Sequence, residues 1–131
     1  MKKVLLFIML LIGGMNIAMA QGEAEIKFDK MSHNFGKFSS KSPVVSCVFY
    51  YENVGDAPLV INQAIGSCGC TVPEYTKEPV QPGQKGEIKV TYNGTGKALG
   101  HFKKTISVNS NSKSGIVRLT IEGDMEENVE E

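Results

Sequence analysis

Tryptophan is absent from this 131-residue chain, histidine occurs twice and cysteine three times. Each scarcity removes a class of explanation. Without tryptophan, the Cys–Trp–Cys signature of antibody domains cannot be present. His33 and His101 stand far apart and outside any metal-ligand spacing, so both are expected to be surface or structural residues. An odd number of cysteines leaves at least one thiol free or paired between chains. There is no H-E-x-x-H, G-x-S-x-G or C-x-x-C arrangement, and no pair of carboxylates placed for acid–base work. Gly94-Thr95-Gly96-Lys97 lacks the leading glycine of a phosphate loop and the Ser or Thr after its lysine, and reads as a turn between strands. The chain is therefore expected not to be an enzyme and to use no cofactor and no metal.

Charge of one sign is also lacking, since the formal net charge is zero. Between Ala24 and Gly123 eight acids face twelve bases, a net of +4 spread over a whole domain. That is too weak and dispersed for nucleic-acid binding. Five acids, Asp124, Glu126, Glu127, Glu130 and Glu131, crowd the end of the chain, where residues 124–131 read as a disordered acidic tail.

The one long hydrophobic run is Val4 to Ile12. It follows Lys2 and Lys3 and precedes Ala18-Met19-Ala20, the layout of a secretory signal peptide over residues 1–20. Cleavage after Ala20 is expected, leaving a chain that starts at Gln21, has no membrane span, and resides in the periplasm or at the cell surface. Export permits disulfides.

What fills the rest is alternation. Val45, Cys47, Phe49 and Tyr51 share one strand face, as do Leu59, Ile61 and Ile65, with Gln63 as the exception. Ile88, Val90 and Tyr92 repeat the pattern, then Phe102, Ile106 and Val108, then Val117, Leu119 and Ile121. A period of two with β-branched and aromatic residues indicates half-buried antiparallel strands. Between them lie glycine, proline, asparagine and aspartate clusters that set turns. The chemistry predicts one all-β domain over residues 24–123, an immunoglobulin-like antiparallel β-sandwich of about seven strands.

Several spaced residues also carry a family resemblance. Asn53-x-Gly55-x-x-Pro58-Leu59-x-Ile61 is followed by Ser67-Cys68-Gly69-Cys70-Thr71-x-Pro73 and by Pro79-x-x-Pro82-Gly83-x-x-Gly86-x-Ile88-x-Val90. Gly100-x-Phe102-x-Lys104 and Ser110-Asn111 complete the series. Over about residues 27–123 the chain resembles the DUF1573 family of exported bacterial proteins. The resemblance implies an immunoglobulin-like sandwich akin to ASH and MSP-type domains, and it implies no activity.

The cysteines hold what chemistry there is. Cys47 lies on the apolar face of its strand and is expected to be a buried free thiol. Cys68 and Cys70 flank a single glycine, and four readings compete: a disulfide, a redox-active dithiol, half of a soft-metal site, or small packing residues in a passage between sheets. A three-residue loop loses only about 1–2 kcal/mol of unfolded-chain entropy on closure, so a bond there would staple little. A metal would need further ligands, from Thr71, His33 or a second chain. In an oxidising compartment the pair is expected to be oxidised to each other. The expected function is an exported, non-catalytic envelope module that binds a protein partner through a sheet edge or loops. The alternative is a redox-active or metal-handling thiol protein using Cys68 and Cys70.

Overall fold

The computed structural model describes residues 22–127. Eight strands are present: β1 (Ile26–Phe28), β2 (Ser32–Ser39), β3 (Val44–Asn53), β4 (Ile61–Gly66), β5 (Thr71–Tyr75), β6 (Lys85–Asn93), β7 (Gly100–Ser110) and β8 (Ile116–Glu126). They form two four-stranded sheets, β1-β3-β6-β5 and β2-β8-β7-β4. The fold is the all-β immunoglobulin-like sandwich that the alternating pattern predicts.

The core lies between the sheets and is filled by the alternating residues. Phe49, Ile88, Ile106, Leu119 and Ile121 are completely buried, and Leu59 nearly so. Each such side chain contributes about 1.5–3 kcal/mol when fully withdrawn from water. At one end Phe38, Tyr92 and Phe102 pack together, with the Tyr92 and Phe102 rings stacked at 3.8 Å.

Four departures from the sequence pattern have local causes. First, the strands number eight rather than about seven, and β2 and β5 are the two that the alternation does not reveal. In β2, Gly36 adopts a φ of 70° and the register slips between Asn34 and Lys37. The slip lets Phe35 and Phe38, three residues apart, both pack against the core, which a period of two cannot express. In β5, Pro73 masks a strand that lies at a sheet edge, where proline is tolerated. Second, β2 pairs with β8 in parallel, so that sheet is mixed rather than purely antiparallel. Third, Ile65 is 51% exposed instead of sharing the core face with Ile61. The register shift between Ile61 and Gln63 inserts one extra residue and turns the rest of β4 over. Fourth, β8 continues to Glu126, so Asp124, Met125 and Glu126 are strand rather than tail. Met125 fills the core edge beneath Gly94, where a Cβ would meet its sulfur. The expected signal peptide, its cleavage after Ala20, and the tail beyond Glu127 lie outside the described residues.

Candidate functional site: the cysteine turn and an open sheet edge

The Cys68-Gly69-Cys70 segment is the passage from one sheet to the other, joining β4 to β5. It is tight because Gly66 lies against the Thr71 backbone, with no room for a Cβ beside the Thr71 carbonyl oxygen. The turn is held on both sides. Ser67 N–H donates to the Thr105 carbonyl (2.8 Å), Thr71 N–H to the Cys68 carbonyl (3.1 Å) and Asn93 N–H to the Cys70 carbonyl (2.8 Å). The two cysteines are joined as a disulfide with their Cα atoms 5.3 Å apart. Cys70 is 9% exposed, Cys68 is half-buried against the core, and Gly69 is at the surface. The Thr71 hydroxyl lies 3.8 Å from the Cys68 sulfur and 3.9 Å from that of Cys70.

The remaining residues singled out from the sequence do not gather here. Cys47 is a buried free thiol in β3, and burial pushes its pKa up to about 11 against the opposing pull of the Lys30 charge. A thiol held so far above neutrality stays protonated and unreactive. His33 is paired with Lys30, whose Nζ lies 2.9 Å from Nδ1, and packs edge-on to Phe35. Its pKa is lowered, first by burial and then by the Lys30 charge. His101 sits on the surface between Asp124 (3.1 Å) and Glu122 (3.4 Å), a cross-strand grouping that sequence spacing hides. Among the described residues there is no cluster of three or more His, Cys, Asp or Glu side chains able to hold a metal ion.

At the opposite end of the sandwich the other motif residues form a hydrogen-bonded knot. Asn53 is completely buried. Its side-chain amide donates to the carbonyls of Ala57 (2.8 Å) and Val80 (2.9 Å), and its Oδ1 accepts from Gly55 N–H (2.9 Å). Its backbone carbonyl accepts from Gly83 N–H (2.8 Å). Asn111 ties β7's exit to the 58–60 segment, accepting from Val60 N–H (2.8 Å) and donating to the Pro58 carbonyl (3.0 Å). Gly55 has backbone of residues 23–25 where a side chain would be.

The sheet edges complete the surface, and they are unequal. Edge strands expose backbone groups that can pair with another chain, and proteins usually blunt them. Along β5, Pro73 has no N–H to offer, and Thr71 N–H is already spent on Cys68. In β4 the register shift and the Gly66–Thr71 contact distort the edge. In β2 the edge is broken by the Gly36 bulge and carries Lys37. In β1, Ile26 N–H is capped by the Ser112 hydroxyl (3.0 Å).

One stretch is different. Pro43 accepts from Gly94 N–H and Asn53 N–H donates to Gln84, so the odd-numbered residues of β3 bond to β6. The even-numbered ones face away from it. Tyr50 is met by Asp29, and Val54 by Glu25. After Asp29 the chain leaves for the other sheet, so β1 covers only the last part of β3. The backbone groups of Val44, Ser46 and Val48 therefore point outward with no backbone partner among the described residues. Val44 is 54% exposed and Ser46 is exposed.

Set beside known proteins, residues 26–125 match the family described as "Protein of unknown function (DUF1573)". No curated protein matches the chain. Among solved structures, a protein of unknown function from Porphyromonas gingivalis W83 is similar, with a TM-score of 0.66 and 12% identity; the match covers 78% of this chain and 47% of that one. The chain thus spans about half the length of that protein. The ASH / PapD-like domain 7 of human CEP192 aligns with a TM-score of 0.61 and 10% identity, covering 82% of this chain and 89% of the domain. The VesB protease of Vibrio cholerae aligns with a TM-score of 0.59 and 18% identity, over 76% of this chain and 32% of that one. At these identities the likeness is one of fold.

Proposed function

The chain belongs to the DUF1573 family, whose function is unknown, and on that premise we propose that it is an exported, non-catalytic module of the bacterial envelope that binds protein through a sheet edge. The observation that carries this reading is the bare edge of β3 at Val44, Ser46 and Val48, in a sandwich whose other edges are each blunted. Unpaired N–H and C=O groups in a row supply the main-chain hydrogen bonds by which an added strand is held, and alternate side chains supply selectivity. The knot around Asn53 and the turn at Cys68 and Cys70 serve the reading as supports that keep the scaffold rigid. The layout of residues 1–20 supports export.

The test uses a photo-reactive phenylalanine analogue in place of Ser46 or, as a control, of Gln63 on β4, in cells producing the full chain. Cross-linked species from position 46 and not from position 63 are expected. No cross-link at position 46, or equal cross-linking at both, rejects the edge. N-terminal sequencing of the envelope fraction should begin at Gln21, and an intact Met1 there would reject processing.

A further inference from the structure

We propose that the occupant of the β3 edge is the same edge of a second copy, paired antiparallel about a two-fold axis through Ser46. The inference rests on the edge reading above and adds the identity of the partner. Its first support is the pattern of the strand. Val44, Ser46 and Val48, whose backbone groups face outward, read the same in both directions about Ser46. In an isologous antiparallel pair each residue meets its mirror position, so Ser46 faces Ser46 and Val44 faces Val48. These are the hydrogen-bonded positions of the new ladder, and three pairs of them close six backbone bonds.

Charge is the second support. No Asp, Glu, Lys or Arg occurs between Ser42 and Tyr51. Like charges directly opposite each other destabilise a strand pair, and lysine is the common guard against edge pairing. Self-pairing of this stretch therefore meets no repulsion, whereas Lys37 in β2 would stand against self-pairing of that edge. The ladder also has natural stops. At one end Ser42 N–H is already spent on the Ser39 carbonyl (2.9 Å), and at the other β1 occupies Tyr50 while Lys30 lies over the Phe49 ring, 5.9 Å from its centroid. The product is one continuous eight-stranded sheet made of two β1-β3-β6-β5 sheets.

The contact is short, so the dimer should be weak, with a dissociation constant on the order of 10–100 µM. The chain, expressed with its first twenty residues so that any processing takes place, is purified and its mass in solution measured across concentration. A shift from one to two copies is expected. Ser46→Lys sets two ammonium groups face to face and should weaken the dimer by tenfold or more. Ser46 is exposed and among the described residues its hydroxyl bonds only Thr91 Oγ1 (3.0 Å), so the melting point serves to show that the fold survives. Gln63→Lys on β4 should leave the dimer unchanged. Ser46→Cys should yield a covalent dimer on mild oxidation, because a hydrogen-bonded pair about 5.5 Å apart is within disulfide reach. A chain that stays monomeric at several hundred micromolar, or a Ser46→Cys variant that oxidises to no dimer, overturns self-pairing. If position 46 in cells then cross-links to a species whose mass is not twice that of the chain, the edge reading stands and only self-pairing falls.

Discussion

The two ends of the sandwich are held by different means. One end is a polar knot: Asn53, Asn111 and Ser112 reach across loops that lie far apart in sequence and satisfy their backbone groups. The other end is a close approach, Gly66 against Thr71, sealed by a disulfide two residues long. The knot's long-range contacts, Asn53 to Val80, Asn111 to Val60 and Ser112 to Ile26, join residues 27, 51 and 86 positions apart, so it orders long stretches of chain. The disulfide spans almost nothing. By loop-closure entropy it constrains the unfolded chain by only about 1–2 kcal/mol. The lesson is that a covalent bond is the weaker clamp here and a buried amide the stronger one.

Four measurements would break or sharpen that contrast. The largest effect is expected for Asn53→Ala. It strands the carbonyl of Ala57 and the N–H of Gly55, each at a cost of about 1–3 kcal/mol, and takes one of two donors from the Val80 carbonyl, which Leu59 N–H still meets. Urea denaturation should show a loss of about 4 kcal/mol through a lower midpoint. A loss below about 1 kcal/mol would mean the knot is not the clamp.

Next comes Gly66→Ala at the other end. The added methyl meets the Thr71 carbonyl, and backbone rather than a flexible side chain must yield. The cost should be about 1–3 kcal/mol, the usual range for overpacking. If the variant matched the wild type in denaturation, the passage between sheets would be looser than this geometry implies.

Replacing Cys68 and Cys70 together by Ser should cost about 1 kcal/mol, a fall in melting point of a few degrees. The Ser67, Thr71 and Asn93 backbone bonds remain to hold the turn. A variant that fails to fold would reverse the comparison and make the disulfide the stronger clamp.

The smallest effect is one of pH. His33 has a folded pKa below its ordinary 6.5. As pH falls past 6.5 the unfolded chain takes up a proton that the folded imidazole resists, so stability declines until the folded pKa is reached and then levels. The decline below pH 6.5 should be small, because His33 is only partly buried, and His33→Gln should remove it. An identical pH profile in the variant would assign the decline to other groups.

Much of the fold was legible because most strands obey one rule. In β3, β6, β7 and β8 apolar residues recur at every second position over most of the strand and face the core, with Asn53, Lys104 and Ser110 as polar exceptions on that face. Where a bulge interrupts the count, the rule fails: Ile65 turns outward, and β2 hides between Phe35 and Phe38. The candidate site divides the same way. The nearness of Cys68 and Cys70 is legible, since one residue separates them. The bare edge of β3 is not, because its Val-Val-Ser-Cys-Val sequence looks like any strand paired on both sides.

Determined by the sequence alone were the sandwich class, the inward face of each regular strand and the proximity of the two cysteines. These follow from periodicity and chain length, which act over a few residues. Decided only by tertiary structure were the burial of Asn53 between its own loop and the remote Val80 carbonyl, the demand for glycine at positions 55 and 66, and the exposure of Val44, Ser46 and Val48. Each depends on where another segment of chain runs. Residues 23–25 crowd Gly55, Thr71 crowds Gly66, and β1 departs at Asp29, leaving the first half of β3 with β6 on one side and no strand on the other. No period-two pattern encodes those positions, because the contacts that create them join residues across turns, as Gly66 with Thr71, or tens of positions apart, as Asn53 with Val80.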